Sequence, residues 1–429
     1  MSGRDAWPAP VASGPVTATV ALPGSKSQTN RALVLSALCN ERTELVAPLR
    51  SRDTELMVAG LRALGVDIDD AGPDWVVRPS RLRGPAEVDV GNAGTVMRFL
   101  PPVAALADGV VQFDGDPRAR KRPLAPVVRA LRDLGVRVEA EHDRLPLTVH
   151  GRGWVLGGSV QIDASTSSQF VSALLLAAPR FADAVEVRHR GGRVPSSAHI
   201  DMTVAMLRDA GAIVENVDEW TWRVEPGPLH VGRHLVEPDL SNSAAFLAAA
   251  VVTGGSVTVR DWPLRTTQAG DALRDLLPAF GARVDLHDGG LTVTGPDRVR
   301  GADLDLSDVG ELAPVLTAIA ALAAGPSRLR GIAHLRHHET DRLAALSREI
   351  SGLGGDVRET EDGLEINPRR LHGGRFSTYE DHRLATAAAV LGLCVPGIDV
   401  ADVGTTAKTL PTFVELWSAM LAGPDGPER

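Results

Sequence analysis

The chain repeats one kind of helical segment six times. Each segment opens with a polar first turn and continues as a run of small apolar residues, and the six begin at Ser27, Asn92, Ser165, Ser241, Ser307 and Tyr379. Because Ala, Leu and Val surround these helices on all sides, we expect them to be buried. Ser, Asn and Asp at their starts are predicted to be N-cap residues.

Amphipathic helices lie between these segments, and most end in glycine just before a predicted strand. The glycines are Gly65, Gly135, Gly211, Gly281 and Gly354, spaced by 70, 76, 70 and 73 residues. Glycine at a helix end supplies the left-handed C′ conformation, and alternating runs such as WVVRP and LTVHG predict strands. A period near 70 residues indicates one supersecondary unit of two helices and three or four strands, repeated. Six units form two groups of three if the chain crosses between them near Val20–Pro23 and Val236–Asp239.

Composition narrows the class of protein. The net charge of −9 argues against a nucleic-acid or membrane-surface binder, so a local cluster of bases would serve a small anion. Cys39 and Cys394 follow apolar helical runs and are predicted to be buried thiols in a reducing compartment. The N-terminus has no apolar signal region and no apolar stretch is long enough to span a bilayer, so we expect a soluble, cytoplasmic protein.

Lysine is rare in this chain. Of 45 Lys and Arg residues only three are lysine, at positions 26, 121 and 408. Lys26 and Lys408 lie in Ser/Thr-flanked loops, GSKS and TAKT, whereas Lys121 has no such setting. A lysine is a compact charge that can give up a proton, which arginine cannot do. Codon bias remains the alternative explanation for the scarcity.

Candidate binding residues occupy two kinds of loop at equivalent places in the repeat. The first turns of the buried helices carry Lys26, Ser27, Arg31, Gly94, Ser167, Ser168, Gln169, Glu311 and Arg383. The loops before the amphipathic helices carry Arg122, Ser196, His338, Glu339, Arg342 and Lys408. Helix N-termini attract anions, and arginine pairs with carboxylate or phosphate. Six bases are more than one phosphate needs, so they suit two anionic substrates, with Glu311 available for acid–base chemistry.

Each of these residues also has a purely structural interpretation. Serines can cap helices, arginines can pair with an acid on their own helix, a first-turn glutamate can stabilise the helix dipole, and a glycine can permit a tight turn. The residues concerned are Ser167 and Ser168, Arg342 with Asp341, Arg383 with Asp381, Glu311, and Gly94. The repetition at matching places favours binding.

Two other motifs resemble known binding sites but do not match their patterns. GSKS lacks the earlier glycine of a P-loop, because Thr19 stands there. The histidines of HLRHHETD, at 334, 337 and 338, lack the H-E-x-x-H order of a zinc site. No metal is therefore predicted.

A set of motifs in order along the chain resembles one family. LPGSKSQTNRALVLSAL, GNAGTVMRFL, RKRPL, STSSQF, HETDRLA, YEDHRLA and TTAKTLP, from about residue 22 to 415, are similar to the 5-enolpyruvylshikimate-3-phosphate synthase family. The resemblance implies an α/β fold of two globular domains, each of three βαβαββ repeat units, with the active site in the interdomain cleft. One domain would comprise 1–22 plus 238–429, with loose tails near 1–14 and 423–429, and 23–237 would be the inserted domain.

The resemblance also implies the reaction and the roles of residues. The enolpyruvyl group of phosphoenolpyruvate would pass to the 5-hydroxyl of shikimate 3-phosphate by addition and elimination. Shikimate 3-phosphate would contact Lys26, Ser27, Arg31, Ser167, Ser168, Gln169, Ser196, Glu311 and His338. Phosphoenolpyruvate would contact Lys26, Gly94, Arg122, Gln169, Arg342, Arg383 and Lys408. Glu311 would accept a proton, Lys26 or Glu339 would donate one, and neither a metal nor an organic cofactor is implied.

The chain departs from the family pattern at a few positions. Glu311 stands where many members have Asp, and His338 and His334 stand where many have Lys and Asn. His338 can therefore titrate near neutrality instead of remaining a permanent cation. Phe99 replaces a common proline, but Gly94 is present, so the resemblance predicts sensitivity to glyphosate.

Three alternatives stay open at this point. A sister transferase acts on UDP-N-acetylglucosamine, but it typically uses a loop cysteine, and neither cysteine here lies in such a loop. An RNA 3′-phosphate cyclase is disfavoured by the acidic charge balance, and a non-catalytic anion-binding scaffold is the third. The expected partners are the two small substrates, without nucleic acid or membrane, and a monomer is expected.

Overall fold

The structure is a computed structural model and describes residues 6–423. These residues fall into two compact units. Unit 1 comprises the chain up to Pro23 together with the chain from Glu237 onward, and unit 2 is Gly24–Val236.

Helices and strands alternate along the described chain. The α-helices are α1 Lys26–Leu38, α2 Arg52–Ala63, α3 Gly94–Ala104, α4 Ala125–Asp133, α5 Gln169–Ala177, α6 Ala198–Asp209, α7 Leu240–Thr253, α8 Leu273–Leu276, α9 Ala313–Ala321, α10 Arg342–Gly352, α11 His382–Gly392 and α12 Phe413–Ala422. The strands are β1 Trp7–Pro8, β2 Thr17–Val20, β3 Thr43–Val46, β4 Asp67–Asp69, β5 Trp75–Arg78, β6 Ala86–Asp89, β7 Asp108–Asp114, β8 Arg137–Ala140, β9 Leu147–Arg152, β10 Gly158–Ile162, β11 Val185–His189, β12 Val214–Asp218, β13 Thr221–Val224, β14 Arg233–Leu235, β15 Ser256–Val259, β16 Arg283–His287, β17 Gly290–Thr294, β18 Asp303–Asp305, β19 Ser327–Arg330, β20 Asp356–Glu359, β21 Leu364–Asn367, β22 Gly374–Ser377 and β23 Ile398–Ala401.

The sheets repeat one topology, as the period near 70 residues predicted. In unit 2 the strand orders are β14-β3-β5-β4, β6-β7-β9-β8 and β10-β11-β13-β12, and in unit 1 they include β16-β17-β15-β2 and β18-β19-β21-β20. The first strand of each repeat pairs in parallel with the second, and the later strands form an antiparallel hairpin. In parallel pairs the carboxyl ends of both strands meet at one edge of the sheet, where ligands bind in many α/β proteins.

Two strands complete sheets far from their own position in the sequence. β2 pairs in parallel with β15, and β14 pairs in parallel with β3. In each unit, therefore, one sheet includes a strand that is far in sequence from the other strands of that sheet: β2 in unit 1 and β14 in unit 2.

The sixth sheet has three strands in the order β1-β23-β22. Its edge strand β1 belongs to the N-terminal segment. Trp7 of β1 pairs with Val400, and the Ala9 N–H donates to the Ile398 carbonyl at 2.8 Å. The Trp7 ring also packs edge-on against Phe413, with 6.4 Å between centroids. The expectation of a loose tail over 1–14 is therefore wrong for the strand-forming part, because these contacts order it. Residues 1–5 and 424–429 of the two expected tails lie outside the described residues.

The sequence predicted the C-terminal ends of the helices better than their N-terminal ends. All five predicted C′ glycines have φ between 80° and 97°, which confirms the left-handed conformation. Side-chain caps are formed by Ser25 on α1, Asp239 on α7 and Asp381 on α11. The caps predicted at Ser27, Asn92, Ser165, Ser241 and Ser307 are wrong. Ser27 and Ser241 lie inside α1 and α7, and the N-cap positions of α3, α5 and α9 are Ala93, Ser168 and Leu312, none of which forms a side-chain cap.

The small-residue helices are buried, as predicted. In α3, α7 and α11 nearly every residue is inaccessible to solvent. Cys39 is buried, but the prediction of a buried Cys394 is wrong, because α11 ends at Gly392 and the thiol lies on the exposed turn beyond it. None of the helices within residues 6–423 has the length and apolar character needed to cross a membrane.

Candidate active site

Several predicted site residues of unit 2 lie on loops or at helix starts that follow parallel strands. Gly94 begins α3 after β6, Arg122 follows β7, and the serines and Gln169 follow β10. Ser196 follows β11 with φ of 51°, a left-handed conformation that is uncommon for a residue with a side chain. The repeated topology thus brings residues that are distant in sequence to corresponding edges of the sheets.

Lys26 is the first residue of α1, and its ammonium group faces a buried acid. Lys26 Nζ lies 3.3 Å from Asp53 Oδ2, and the Lys26 side chain keeps 20% of its surface exposed against 3% for Asp53. Asp53 was not among the site residues predicted from the sequence. The sequence feature that could have indicated Asp53 is its position on the apolar face of α2, four residues before the buried Met57.

Arg31 is enclosed by unit 2. Its Nε donates to Thr203 Oγ1 at 2.7 Å, its Nη2 to the His199 carbonyl at 2.9 Å, and its guanidinium lies over the Phe99 ring at 5.2 Å. Burial lowers the pKa of Arg31 to about 9, so the group stays charged at neutral pH. Arg31 therefore joins α1 to α6 as well as carrying positive charge.

Three polar side chains converge on the backbone of Gly94. A methyl group at this position would lie 2.7 Å from Arg122 Nη2, 3.2 Å from Gln169 Oε1 and 3.3 Å from Arg98 Nη1. Arg122 Nη1 donates to the Asn92 carbonyl at 2.8 Å, which fixes the guanidinium beside the helix start. Gly94 therefore does more than permit a turn, because its missing side chain leaves room for these groups.

Arg98 was missed by the sequence reasoning. Its Nη1 donates to Gln169 Oε1 at 2.7 Å, and its guanidinium lies 5.0 Å from the centroid of the Phe170 ring. Because the Gln169 oxygen is engaged by Arg98, the amide presents its N–H groups elsewhere. The signal for Arg98 is a lone charge within an otherwise apolar buried helix.

The serines of the β10–α5 loop order the start of α5. Ser167 Oγ accepts a hydrogen bond from the Gln169 N–H at 3.3 Å, and Ser168 is buried. Ser168 occupies the N-cap position of α5 without a side-chain cap bond, so the capping interpretation fails for Ser168, while Ser167 supports the first turn and keeps its hydroxyl proton for a further acceptor.

In unit 1, Arg342 anchors a buried ionic network. Its Nε donates to Asp381 Oδ2 at 2.7 Å and its Nη2 to Glu339 Oε2 at 3.1 Å. Lys408 Nζ lies 2.8 Å from Glu339 Oε1, so Glu339 is shared by two cations. Burial alone would lower the pKa of Arg342, but the charges of Asp381 and Glu339 raise it above its usual value.

The own-helix salt bridges considered for Arg342 and Arg383 are wrong. Asp341 caps α10 and pairs with Arg336 at 3.5 Å, whereas Arg342 reaches Asp381 at the start of α11. The Arg383 guanidinium donates to the Ser241 carbonyl at 2.7 Å, and only its backbone N–H contacts Asp381. Arg383 is buried, and that burial lowers its pKa.

The turn that presents Asp381 is strained and tied down. Tyr379 and Glu380 have φ of 52° and 58°, a backbone conformation that residues with a side chain rarely adopt. Glu349 on α10 accepts the Tyr379 hydroxyl at 2.5 Å and the Ser377 N–H at 2.8 Å. These bonds hold the turn in place while Asp381 engages Arg342.

Glu311 lies in a turn of 3₁₀ helix before α9, close to His334. The His334 ring packs on the neighbouring Gly310, where a methyl group would lie 2.5 Å from Nε2. Burial lowers the pKa of His334 to about 4 despite the nearby charge of Glu311, so His334 is neutral at physiological pH. His338 Nδ1 accepts from Arg342 Nη1 at 3.4 Å.

Each unit therefore carries its own group of cationic and acidic side chains. The unit 2 group contains Lys26, Arg31, Arg98 and Arg122 beside Asp53, and the unit 1 group contains Arg342, Arg383 and Lys408 beside Glu311, Glu339 and Asp381. Within residues 6–423, no group of three or more His, Cys, Asp or Glu side chains is placed to hold a metal ion. Such groups are suited to phosphate and carboxylate, with carboxylates available to move protons.

Solved structures share this fold. EPSP synthase from Acinetobacter baumannii superposes with a TM-score of 0.80 at 24% identity over 97% of each chain. The enolpyruvyl transferase NikO from Streptomyces tendae gives a TM-score of 0.76 at 17% identity over 96% of each. The chain thus has the α/β fold seen in enolpyruvyl transferases.

Sequence comparison defines the family. The model of the family EPSP synthase (3-phosphoshikimate 1-carboxyvinyltransferase) matches residues 11–417. A 3-phosphoshikimate 1-carboxyvinyltransferase from Kocuria rhizophila is 58% identical over 98% of both chains. The chain belongs to the EPSP synthase family, which confirms the resemblance seen in its motifs.

Proposed function

We propose that this chain transfers the enolpyruvyl group of phosphoenolpyruvate to the 5-hydroxyl of shikimate 3-phosphate, releasing phosphate. The reaction is a step of the shikimate pathway to chorismate and the aromatic amino acids. Membership of the EPSP synthase family carries the proposal. The two groups of cations and carboxylates support it, because both substrates carry phosphate and carboxylate groups.

The reaction needs two proton movements at carbon and one at oxygen. The 5-hydroxyl gives its proton to a base and its oxygen bonds to C2 of phosphoenolpyruvate, while C3 gains a proton. The resulting tetrahedral intermediate then loses a proton from C3 and expels phosphate, which restores the double bond. We assign Glu311 as the base and Lys26 or Glu339 as the acid at C3, as the family resemblance implies; Lys26 Nζ lies 3.3 Å from Asp53 Oδ2, and Glu339 Oε1 lies 2.8 Å from Lys408 Nζ.

The remaining residues bind the substrates in this proposal. Shikimate 3-phosphate contacts Lys26, Ser27, Arg31, Ser167, Ser168, Gln169, Ser196, Glu311 and His338. Phosphoenolpyruvate contacts Lys26, Gly94, Arg122, Gln169, Arg342, Arg383 and Lys408. Charge-assisted hydrogen bonds of about 1.5–3 kcal/mol each make such cationic groups effective for two anions.

We further propose that the two units act as two domains, 1–22 with 238–429 and 23–237, in a monomeric cytoplasmic enzyme. The unit boundaries at Pro23/Gly24 and Val236/Glu237 support the division. Cys39 and Cys394 are free thiols, as expected in a reducing compartment.

Phosphate release tests the function. We expect the purified protein to release phosphate only when both shikimate 3-phosphate and phosphoenolpyruvate are present, because the phosphate leaves from an adduct of the two. UDP-N-acetylglucosamine in place of shikimate 3-phosphate serves as the control and should give no release. Release with phosphoenolpyruvate alone, or with the sugar nucleotide, would contradict the proposal.

Gly94→Ala tests the phosphoenolpyruvate site. The added methyl group would lie 2.7 Å from Arg122 Nη2, so the guanidinium must shift. We expect the KM for phosphoenolpyruvate to rise about tenfold or more, since overpacking of this kind costs about 1–3 kcal/mol. Inhibition by glyphosate should weaken in parallel, and the KM for shikimate 3-phosphate should change little.

Gly352→Ala is the matched control for this substitution. A methyl group at Gly352, the last residue of α10, meets no atom within 4 Å. Steady-state kinetics should therefore match wild type. An unchanged KM for phosphoenolpyruvate in Gly94→Ala would remove Gly94 from the binding site.

A further inference from the structure

His189 joins two loops that carry predicted shikimate 3-phosphate ligands. It is the last residue of β11, pairs with Ile162 at the end of β10, and is 8% exposed. The β10–α5 loop that follows Ile162 carries Ser167 and Ser168, and the β11–α6 loop that follows His189 carries Ser196.

The two ring nitrogens of His189 bond to different loops. The Ala164 N–H donates to His189 Nδ1 at 3.1 Å, and His189 Nε2 lies 2.7 Å from the Gly192 carbonyl oxygen. An amide donor requires a lone pair on Nδ1, and a carbonyl acceptor requires a proton on Nε2. Nδ1 also lies 3.2 Å from the Ile162 carbonyl oxygen, which would accept from a protonated Nδ1, so only the tautomer with its proton on Nε2 alone joins Ala164 to Gly192.

Each bond acts close to the serines. The Ala164 carbonyl accepts the Ser167 N–H at 3.0 Å, so the residue held by His189 Nδ1 closes the turn that sets Ser167. Gly192 lies four residues before Ser196, whose φ of 51° requires support from its surroundings.

Neighbouring residues reinforce the same junction. Ser165 Oγ donates to the Gly192 carbonyl at 3.3 Å, and the Ser165 N–H donates to Asp163 Oδ1 at 2.9 Å. A methyl group at Gly191 would lie 2.5 Å from Ser165 Oγ, so the loops approach too closely for any side chain there. The Trp220 ring packs edge-on against His189, with 5.7 Å between centroids, and fixes the plane of the imidazole.

We propose that His189 is a positioning residue that holds the β10–α5 and β11–α6 loops together, so that Ser167, Ser168 and Ser196 meet one molecule of shikimate 3-phosphate. The inference rests on the proposed function for the identity of that ligand. His189 acts through Ala164 and Gly192 and touches neither substrate in this role. It therefore governs affinity for shikimate 3-phosphate more than affinity for phosphoenolpyruvate.

Three substitutions separate the two bonds. His189→Asn places an acceptor near Nδ1, His189→Gln places a donor near Nε2, and His189→Leu supplies neither. Calorimetric titration with shikimate 3-phosphate alone should show the dissociation constant rising about tenfold in the Leu variant, with smaller rises in Asn and Gln, since each retains one hydrogen bond. The KM for phosphoenolpyruvate at saturating shikimate 3-phosphate should stay within about twofold of wild type.

His150→Leu is the control. His150 belongs to β9 of the same unit and pairs with Glu139 at 3.1 Å, away from the serine loops. Its loss should leave both constants unchanged. An unchanged dissociation constant in His189→Leu, or equal weakening of both substrates in all three variants, would overturn the proposal.

Two measurements on the free protein test the junction independently of activity. Nitrogen chemical shifts of the His189 ring should identify the Nε2–H tautomer, and the Nδ1–H tautomer would overturn the proposal. The Ala164 amide should resist hydrogen exchange in wild type and His189→Asn but exchange faster in His189→Leu, and equal rates in all three would likewise overturn it. If wild type gave no turnover while these results held, the proposed function alone would fail.

Discussion

Turnover of phosphoenolpyruvate and shikimate 3-phosphate is expected to fall by about 10²–10⁴-fold when Lys26 is replaced by methionine, the range typical for loss of an acid–base group. Methionine fills similar volume but carries neither the charge nor a transferable proton. The substitution also leaves the buried Asp53 carboxylate without the ammonium group 3.3 Å away. Single-turnover kinetics would place the loss in the chemical step.

Two lysine variants sharpen this prediction. Lys26→Arg keeps the charge but cannot release a proton at neutral pH, so we expect shikimate 3-phosphate binding to be retained while kcat stays low. Lys121→Met is the matched control, because Lys121 is exposed beside the buried Arg122. Turnover of Lys26→Met within about tenfold of wild type would exclude Lys26 as an acid–base group.

Asp381→Asn is expected to destabilise unit 1 by about 3–5 kcal/mol, the usual cost of leaving one member of a buried ion pair. Asp381 is inaccessible to solvent, and Arg342 is 2% exposed. Asparagine can still cap α11 by accepting the Arg383 N–H, so the loss reports on the charge and not on the cap. Hydrogen exchange of the α10 and α11 amides would measure the change in opening free energy.

Asp341→Asn provides the comparison. Asp341 also caps its helix, but its partner Arg336 is partly exposed at 3.5 Å, so we expect a loss below about 1 kcal/mol. Equal effects of the two substitutions would mean that capping, rather than the buried charge pair, explains the role of Asp381.

Features set by neighbouring residues could be predicted from the sequence. The glycines at 65, 135, 211, 281 and 354 adopt the left-handed conformation because a helix end demands it locally. The repeat of helices and strands followed from periodicity in the same way. The error at Cys394 shows the limit, since beyond the end of α11 the apolar neighbours Leu393 and Val395 are buried whereas Cys394 between them is exposed.

Partners across the fold could not be predicted from spacing. Arg342 pairs with Asp381, 39 residues away, although Asp341 is its immediate neighbour. Thr203 contacts Arg31 from 172 residues away, and Arg98 contacts Gln169 from 71 residues away. These contacts depend on which helices pack side by side, and helical periodicity gives only the face on which each residue lies.

β2 precedes unit 2 in the sequence, whereas its partner β15 follows unit 2. The sheet that contains both strands therefore cannot form until unit 2 has been synthesised. All of Gly24–Val236, including β14, is synthesised before β15, the parallel partner of β2. At about 5–20 residues per second, β2 waits roughly 10–50 s for that partner while unit 2 can already fold. A chain that ends at residue 236 and is released from the ribosome should therefore contain one protease-resistant body with an unpaired N-terminal strand, which makes β2 exposed to mispairing until β15 has been made.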